Sequence, residues 1–223
     1  MDFTKSGAVS NQDDIKIVGF GDSHIEMFKP LVSKICLVGG ATAYGLTNKN
    51  AATRSRDKFI PFLKENSPDL AVCTLGEVDC NSITWMKRKE MKHTELLNLS
   101  AQRLLGFLKG LPYKIALSAV PLPPVDAYNK PPFSTRHNIP RSHVTWDKKT
   151  LTPVVRAFNE KLKNLCSIHR IFFIDYTTET IGADGTLDMT YAIAGYNVHL
   201  NPLRMAPILK RKLDEAISFY YHS

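Results

Sequence analysis

The chain has 223 residues, of which 43% are hydrophobic and 22% charged, and it carries a formal net charge of +8 at pH 7. This length and composition fit a single globular domain with a sizeable core, and they exclude a disordered or fibrous chain. The polar start of the chain and the lack of a long apolar run favour a soluble, cytoplasmic protein without a secretory signal or a membrane partner.

Short apolar runs alternate with helical patterns along the chain. The predicted strands cover residues 15–20, 34–38, 69–75, 114–120 and 170–175. The predicted helices cover residues 25–32, 54–66, 93–109, 152–167 and 202–219. The last two begin with an N-cap followed by proline, in Thr152-Pro153 and Asn201-Pro202. This alternation predicts an α/β fold of three layers, with a parallel sheet between helices.

A long segment over residues 121–150 interrupts the alternation after the fourth strand. It is rich in proline, and it contains basic residues such as Arg136 and Arg141. A connection of this length without periodicity is typical of a functional lid or a solvent-exposed loop. We therefore expect one domain over residues 1–223, with a long loop near the active-site edge.

Ser23 lies in the sequence Gly21-Asp22-Ser23-His24, directly after the first predicted strand. A serine on a glycine turn at the carboxyl end of a strand is where an α/β sheet presents a nucleophile. Its hydroxyl needs a base, and His199 follows the last strand at the same end of the sheet. The adjacent His24 is interpreted as a packing or capping residue.

Four blocks in order along the chain resemble those of the SGNH/GDSL hydrolase family. They are the GDSH sequence at 21–24, the glycines Gly39 and Gly40, the GEVD sequence at 76–79 and the YNVH sequence at 196–199. The resemblance implies the strand order 2-1-3-4-5. Val78 stands where the family has its oxyanion-hole asparagine, and Tyr196 stands where it has the triad aspartate.

The resemblance also implies roles for the residues in these blocks. Ser23 would be the nucleophile and His199 the base, while the backbone N–H groups of Ser23 and of Gly40 or Gly39 would bind the oxyanion. Glu77 and Asp79 flank the missing amide and are candidates for substrate binding, although an aspartate in a loop also commonly bonds nearby backbone.

The third member of the triad stays open. Asp184 and Asp188 lie upstream of His199 and are both candidates. A backbone carbonyl that orients the imidazole, leaving a Ser–His dyad, is the other interpretation. Because removing such an orienting group slows catalysis strongly, either departure predicts a slow enzyme or a role without hydrolysis.

The cysteines and the basic clusters limit which cofactors and partners are expected. Cys36, Cys73, Cys80 and Cys166 form no Cys-x-x-Cys pair, which favours reduced, packed thiols. We expect no cofactor and no metal. The basic clusters at 87–89 and 210–212 indicate either solvated helix faces or an anionic ligand, and charge alone does not favour nucleic acid.

These observations predict a serine-dependent esterase or O-acyltransferase. It would carry out acetyl-ester chemistry on a carbohydrate, a glycan or a small-molecule ester, through an acyl-enzyme intermediate. With an imidazole as base, its rate is expected to rise across about pH 6–8. The alternative is a catalytically weak or inactive SGNH-like domain that binds glycans or acts as a scaffold.

Overall fold

The computed structural model describes residues 15–83, 91–124, 148–194 and 199–222. A parallel sheet of five strands, in the order β2-β1-β3-β4-β5, runs through the molecule. The strands are β1 Ile17–Gly21, β2 Lys34–Leu37, β3 Leu70–Thr74, β4 Lys114–Ser118 and β5 Phe172–Ile174. The predicted α/β class and strand order are therefore confirmed.

Helices flank the sheet. The α-helices are α1 Ser55–Asn66, α2 His93–Lys109, α3 Lys148–His169, α4 Thr177–Thr180 and α5 Pro202–Tyr221. Shorter elements are the 3-10 turns Ser23–Phe28, Tyr44–Thr47 and Met189–Tyr191 and the π-helical turn Asp79–Ile83. No helix among the described residues is long and apolar enough to cross a membrane.

The hydrophobic core is built around the central strands. Every residue of β3 is buried, as are Val18 and Phe20 of β1, and the sheet-facing sides of the long helices close over them. Buried strands of this kind read as continuous apolar runs, because both faces of a parallel sheet are covered. For this reason β1 and β3 could be predicted from the sequence as apolar runs.

Two predicted helices differ from the structure. The helix expected over 25–32 is instead the 3-10 turn Ser23–Phe28, and Pro30, which cannot donate a helical hydrogen bond, follows closely. The helix expected from Thr152-Pro153 already includes Lys148, so Pro153 lies inside α3. Asn201 does cap α5 as predicted, because its side chain accepts hydrogen bonds from the N–H groups of Leu203 and Arg204.

The strand register brings three loops to one edge of the sheet. Gly21 of β1 lies opposite Leu37 of β2 and Thr74 of β3, so the chain leaves all three strands at the same level. A Cβ atom on Gly21 would lie 2.1 Å from the carbonyl oxygen of Thr74, so only glycine fits there. The next N–H, that of Asp22, donates to the same carbonyl at 2.9 Å.

The predicted long loop is described only at its ends. Residues 121–124 are buried after β4, and residues 148–150 belong to α3. The stretch 125–147, which holds Arg136 and Arg141, lies outside the described residues, so its position near the active-site edge stays a prediction.

Candidate active site

A cavity of about 200 Å³ contains the two residues predicted to carry the chemistry. Ser23 and His199 both line it. The other lining residues are His24, Glu26, Met27, Lys29, Ile193, Leu200 and Pro202. The structure therefore brings together residues separated by most of the chain, while hydrogen-bond reach between Ser23 and His199 stays a prediction.

Backbone contacts fix both residues at the cavity. Ser23 begins a 3-10 turn whose N-cap is Asp22, and the Asp22 carboxylate accepts the N–H of His24 at 3.0 Å. The carbonyl of His199 accepts the N–H of Ile193 at 3.0 Å, next to an antiparallel bridge between Ala192 and Leu200. His199 is thus held by a short ladder directly before α5.

A second histidine packs against the predicted base. The rings of His24 and His199 are tilted by 43°, with their centroids 4.9 Å apart. His24 is only 3% exposed, and its Nε2 lies 3.8 Å from a carboxylate oxygen of Glu77. That separation is too long for a direct hydrogen bond, so the attraction acts through charge. Asn81 donates a hydrogen bond to the other carboxylate oxygen of Glu77.

The two histidines differ in their affinity for protons. Burial lowers the pKa of His24, but the Glu77 carboxylate and the charge of Asp22 outweigh it and leave the pKa above its ordinary value. Burial and the positive charge of His24 lower the pKa of His199 to about 4, although Glu77 opposes this shift. At neutral pH, His199 is therefore the neutral partner, as a general base must be.

Asp22 is a further titratable group of this cluster. Burial raises the pKa of its carboxyl to about 7, although the positive charge of His24 opposes the shift. The charge of Glu77 adds to the increase. Asp22, His24 and Glu77 therefore interact through their charges next to Ser23, and their protonation states are coupled.

The electrostatic importance of His24 and Asp22 was not predicted from the sequence. The first was interpreted as a packing residue, and the second was not singled out. A usable signal was present, because both flank Ser23 at the end of a buried strand, where polar side chains are desolvated. Their coupling to Glu77 depends on the pairing of β1 with β3 and is not visible locally.

Asp79 points into the protein. It is fully buried, and its two oxygens accept the N–H groups of Ala43 and Tyr44, each at 2.8 Å. Burial raises its pKa, although these bonds and one from Ser100 oppose the shift. These contacts tie the loop after β3 to the loop after β2, which carries the predicted glycine donors to the oxyanion.

The glycines and Val78 lie in these two loops. Gly40 has a positive φ of 72°, a backbone conformation that favours glycine, and is half-buried, whereas Gly39 is exposed. Val78 is half-buried beside Glu77. None of these residues lines the cavity that holds Ser23 and His199. Their predicted roles in binding the oxyanion stay predictions.

The carboxylates predicted as third triad members bind other groups. Asp184 accepts the N–H and the hydroxyl of Thr186 and pairs with Lys148 at 2.9 Å, and these contacts lower its pKa. Asp188 accepts the N–H of Thr190 at 2.9 Å, which lowers its pKa as well. The carboxylate whose charge acts on His199 is that of Glu77. Residues 195–198, including Tyr196, lie outside the described residues.

The four cysteines, all among the described residues, form no disulfide with one another in the structure. Cys73, Cys80 and Cys166 are buried free thiols, and Cys36 is a half-buried one. Within the described parts of the chain, no three His, Cys, Asp or Glu side chains are grouped to hold a metal ion.

The basic cluster of α5 is paired with acids. Lys210 contacts Asp214, while Arg211 and Lys212 contact Glu179 and Glu215. This fits the solvated-face interpretation at 210–212. The cluster at 87–89 lies outside the described residues, and the anionic ligand stays a prediction.

No family model and no curated protein matches this chain. Solved structures with the same fold do. A protein assigned as an acylhydrolase from Bacteroides fragilis is 18% identical over 93% of this chain and 88% of its own, with a TM-score of 0.55. A GDSL-like lipase from Bacteroides thetaiotaomicron is 17% identical over 93% and 90%, with a TM-score of 0.51.

An acetylxylan esterase from Geobacillus stearothermophilus, solved as a catalytic mutant, is 14% identical over 92% of this chain and 95% of its own, with a TM-score of 0.53. Such low identities carry information about the fold alone. The chain therefore has the α/β fold of SGNH/GDSL-like acylhydrolases and acetylxylan esterases, along nearly its whole length.

Proposed function

We propose that the protein is a serine-dependent esterase or O-acyltransferase, which moves a short acyl group through an acyl-enzyme intermediate. The observation that carries this proposal is the shared cavity of Ser23 and His199, beyond the carboxyl edge of the sheet. Ligands of open α/β sheets bind at this edge. The fold shared with acylhydrolases and acetylxylan esterases supports the same reaction class.

The chemistry follows from the two side chains. His199 accepts the proton of the Ser23 hydroxyl as the oxygen attacks the ester carbonyl, and a C–O bond forms as the carbonyl becomes an oxyanion. The carbonyl reforms as the leaving alcohol departs with the proton from His199. Water or a sugar hydroxyl then attacks the acyl-serine, giving a free acid or a transferred ester, and Ser23 regains its proton.

Two backbone donors are available for the oxyanion in this scheme. They are the N–H of Ser23 and the N–H of Gly40, or of Gly39 in its place. Val78 offers no side-chain donor, and one missing donor costs about 10²–10³ in rate. The proposal is therefore a slow enzyme, with a base that is weak because of its low pKa.

The size of the cavity favours a short acyl group. At about 200 Å³ it is smaller than the roughly 300–1,000 Å³ of sites for drug-sized ligands. Met27, Ile193 and Leu200 give it apolar walls suited to a methyl group. Acetyl is the acyl group of this size, and the acetylxylan esterase of the same fold makes a carbohydrate the first alcohol to test.

Labelling with a fluorophosphonate tests the nucleophile. The protein should be labelled, and Ser23→Ala should abolish labelling. Ser33→Ala is the matched control, because Ser33 is an exposed serine whose hydroxyl donates to the carbonyl of Ile17, and this variant should be labelled as fast as the parent. Labelling that persists in Ser23→Ala would refute the proposal.

Acyl selectivity tests the cavity. Hydrolysis of p-nitrophenyl acetate should exceed that of the octanoate by more than about tenfold in kcat/KM, because the longer chain does not fit about 200 Å³. Partition of the acetyl group between acetate and an acetylated oligosaccharide then separates hydrolase from transferase. Equal rates for both esters would contradict the short-acyl assignment.

A second candidate function is a glycan-binding domain with weak or no catalysis. It is favoured by the low pKa of His199 and by the separate contacts of Asp184 and Asp188. This candidate predicts oligosaccharide binding by calorimetry that is unchanged in Ser23→Ala, together with no fluorophosphonate labelling of the parent protein.

A further inference from the structure

The buried pair of His24 and Glu77 has no role in the reaction described above. His24 is 3% exposed and Glu77 is 15% exposed, so both side chains are removed from water. A charge in such a place is costly unless a partner balances it. Glu77 is held in place by the amide of Asn81, and His24 is the cation that faces it, at 3.8 Å.

The pair lies next to His199, the proposed base. The centroid of the His24 ring is 4.9 Å from that of His199, and both histidines line the cavity with Ser23. At this distance a proton on one imidazole strongly disfavours a proton on the other. With an effective dielectric constant of about 20, the repulsion moves an imidazole pKa by roughly 2.5 pH units. The two rings therefore compete for the first proton.

We propose that Glu77 places the first proton of the paired histidines on His24, and so leaves His199 neutral to act as the base. The catalytic part of this assignment rests on the proposed function. Glu77 thereby holds a positive charge on His24 next to His199, so it acts on the base through a second histidine. Glu77 and His24 are positioning residues, because neither exchanges a proton with the substrate.

Among the neighbouring charged groups, Glu77 has the largest effect on which histidine binds the first proton. Asp22 precedes Ser23, and burial raises the pKa of its carboxyl to about 7, so its negative charge adds to the effect of Glu77 on His24 mainly above that pH. Asp79 is turned inward onto backbone N–H groups. Glu26 and Lys29, which line the cavity, are exposed and of opposite sign. Solvent screens charges of this kind.

Removing the carboxylate should transfer the proton. In Glu77→Gln, His24 stays buried and loses the carboxylate at 3.8 Å, whereas His199 is nearer to solvent. The first proton should then bind His199. We expect the pKa of His199 to rise by at least about one pH unit and the pKa of His24 to fall. In His24→Asn, the pKa of His199 should rise as well, because a neighbouring positive charge is lost while Glu77 remains.

The experiment is an NMR titration of the full chain with ¹⁵N-labelled histidine, which reports the protonation state of each ring without any catalytic turnover. The spectrum of His24→Asn assigns the His24 signals. Asp184→Asn is the matched carboxylate control, and it should leave the pKa of His199 unchanged. A His199 pKa that is unchanged in both Glu77→Gln and His24→Asn would overturn the proposal, as would a change in Asp184→Asn of the same size.

A second readout connects the proton to the reaction. The rate of fluorophosphonate labelling at pH 5, relative to the rate at pH 8, should be at least about twofold lower in Glu77→Gln than in the parent protein, because a rise of one pH unit already protonates about half of His199 at pH 5. Equal ratios would overturn the catalytic part of the proposal. Absence of labelling in the parent would remove the proposed function, while the NMR titration would still decide where the proton lies.

Discussion

Replacing Asp22 by asparagine should stabilise the protein, and increasingly so as the pH rises. Asp22 is 2% exposed, and its burial raises the pKa of the carboxyl from 3.8 to about 7. In the unfolded chain the carboxyl ionises near pH 4. Between these two values the folded state binds more protons than the unfolded state. The free energy of unfolding therefore falls as the pH rises through this window, and Asp22 contributes to that fall.

The size of the effect follows from the displaced pKa. A rise from 3.8 to about 7, at about 1.4 kcal/mol for each pH unit, corresponds to roughly 4 kcal/mol above pH 7. A little over a third of this effect is already present at pH 5. Asparagine keeps the oxygen that accepts the N–H of His24, so the N-cap is retained. The gain in stability from Asp22→Asn should grow by about 2–3 kcal/mol between pH 5 and pH 8.5.

Urea unfolding of parent and variant at the two pH values measures this difference. With a denaturant slope of about 2 kcal/mol per molar, the midpoint of Asp22→Asn relative to the parent should move up by about 1 M between pH 5 and pH 8.5. Asp57→Asn is the control, because Asp57 is an exposed aspartate and its removal should have no pH-dependent effect of this size. A difference between parent and Asp22→Asn that is the same at both pH values would refute the reasoning.

Three further outcomes are expected. The rise of kcat/KM with pH for an acetyl ester should be centred near pH 4, where His199 loses its proton. An ordinary imidazole would instead give a rise across about pH 6–8, so a rise centred near pH 6.5 would contradict the low pKa of His199. Asp79→Ala should lower the free energy of unfolding by about 2–4 kcal/mol, because two backbone N–H groups lose their acceptor, whereas Asp57→Ala should cost under about 1 kcal/mol in the same urea assay. Val78→Asn should raise esterase activity or leave it unchanged in a folded protein; sharply lower activity would show that Val78 shapes the acyl site.

Much of the fold could be predicted from the sequence, because its elements are marked locally. The strands β1 and β3 are buried on both faces and read as apolar runs, and α5 begins at an asparagine cap followed by Pro202. The start of α3 was predicted wrongly, since proline is tolerated in the first turn of a helix and also, at a cost, beyond it. The sequence therefore predicted the presence of this helix correctly, but not the residue at which it begins.

The candidate site was predictable only in part. Ser23 and His199 are marked by their positions after strands, and the structure places both at one cavity. The partner of His199 was sought among nearby aspartates in the sequence, Asp184 and Asp188. The acid that acts on it is instead Glu77, more than a hundred residues away. Burial and charge pairing depend on packing between strands, and no local pattern reports them.

The register of β1 and β3 explains how Glu77 comes close to the histidines at the cavity. Because Gly21 pairs with Thr74, the turn that carries Ser23 and the loop that carries Glu77 leave the sheet at the same level. Glu77 is therefore close to the two histidines in space although it is distant from His199 in the chain. It acts on them through charge and does not supply the direct hydrogen bond that orients a catalytic imidazole. A Ser–His pair supported in this way should retain its nucleophile and react slowly.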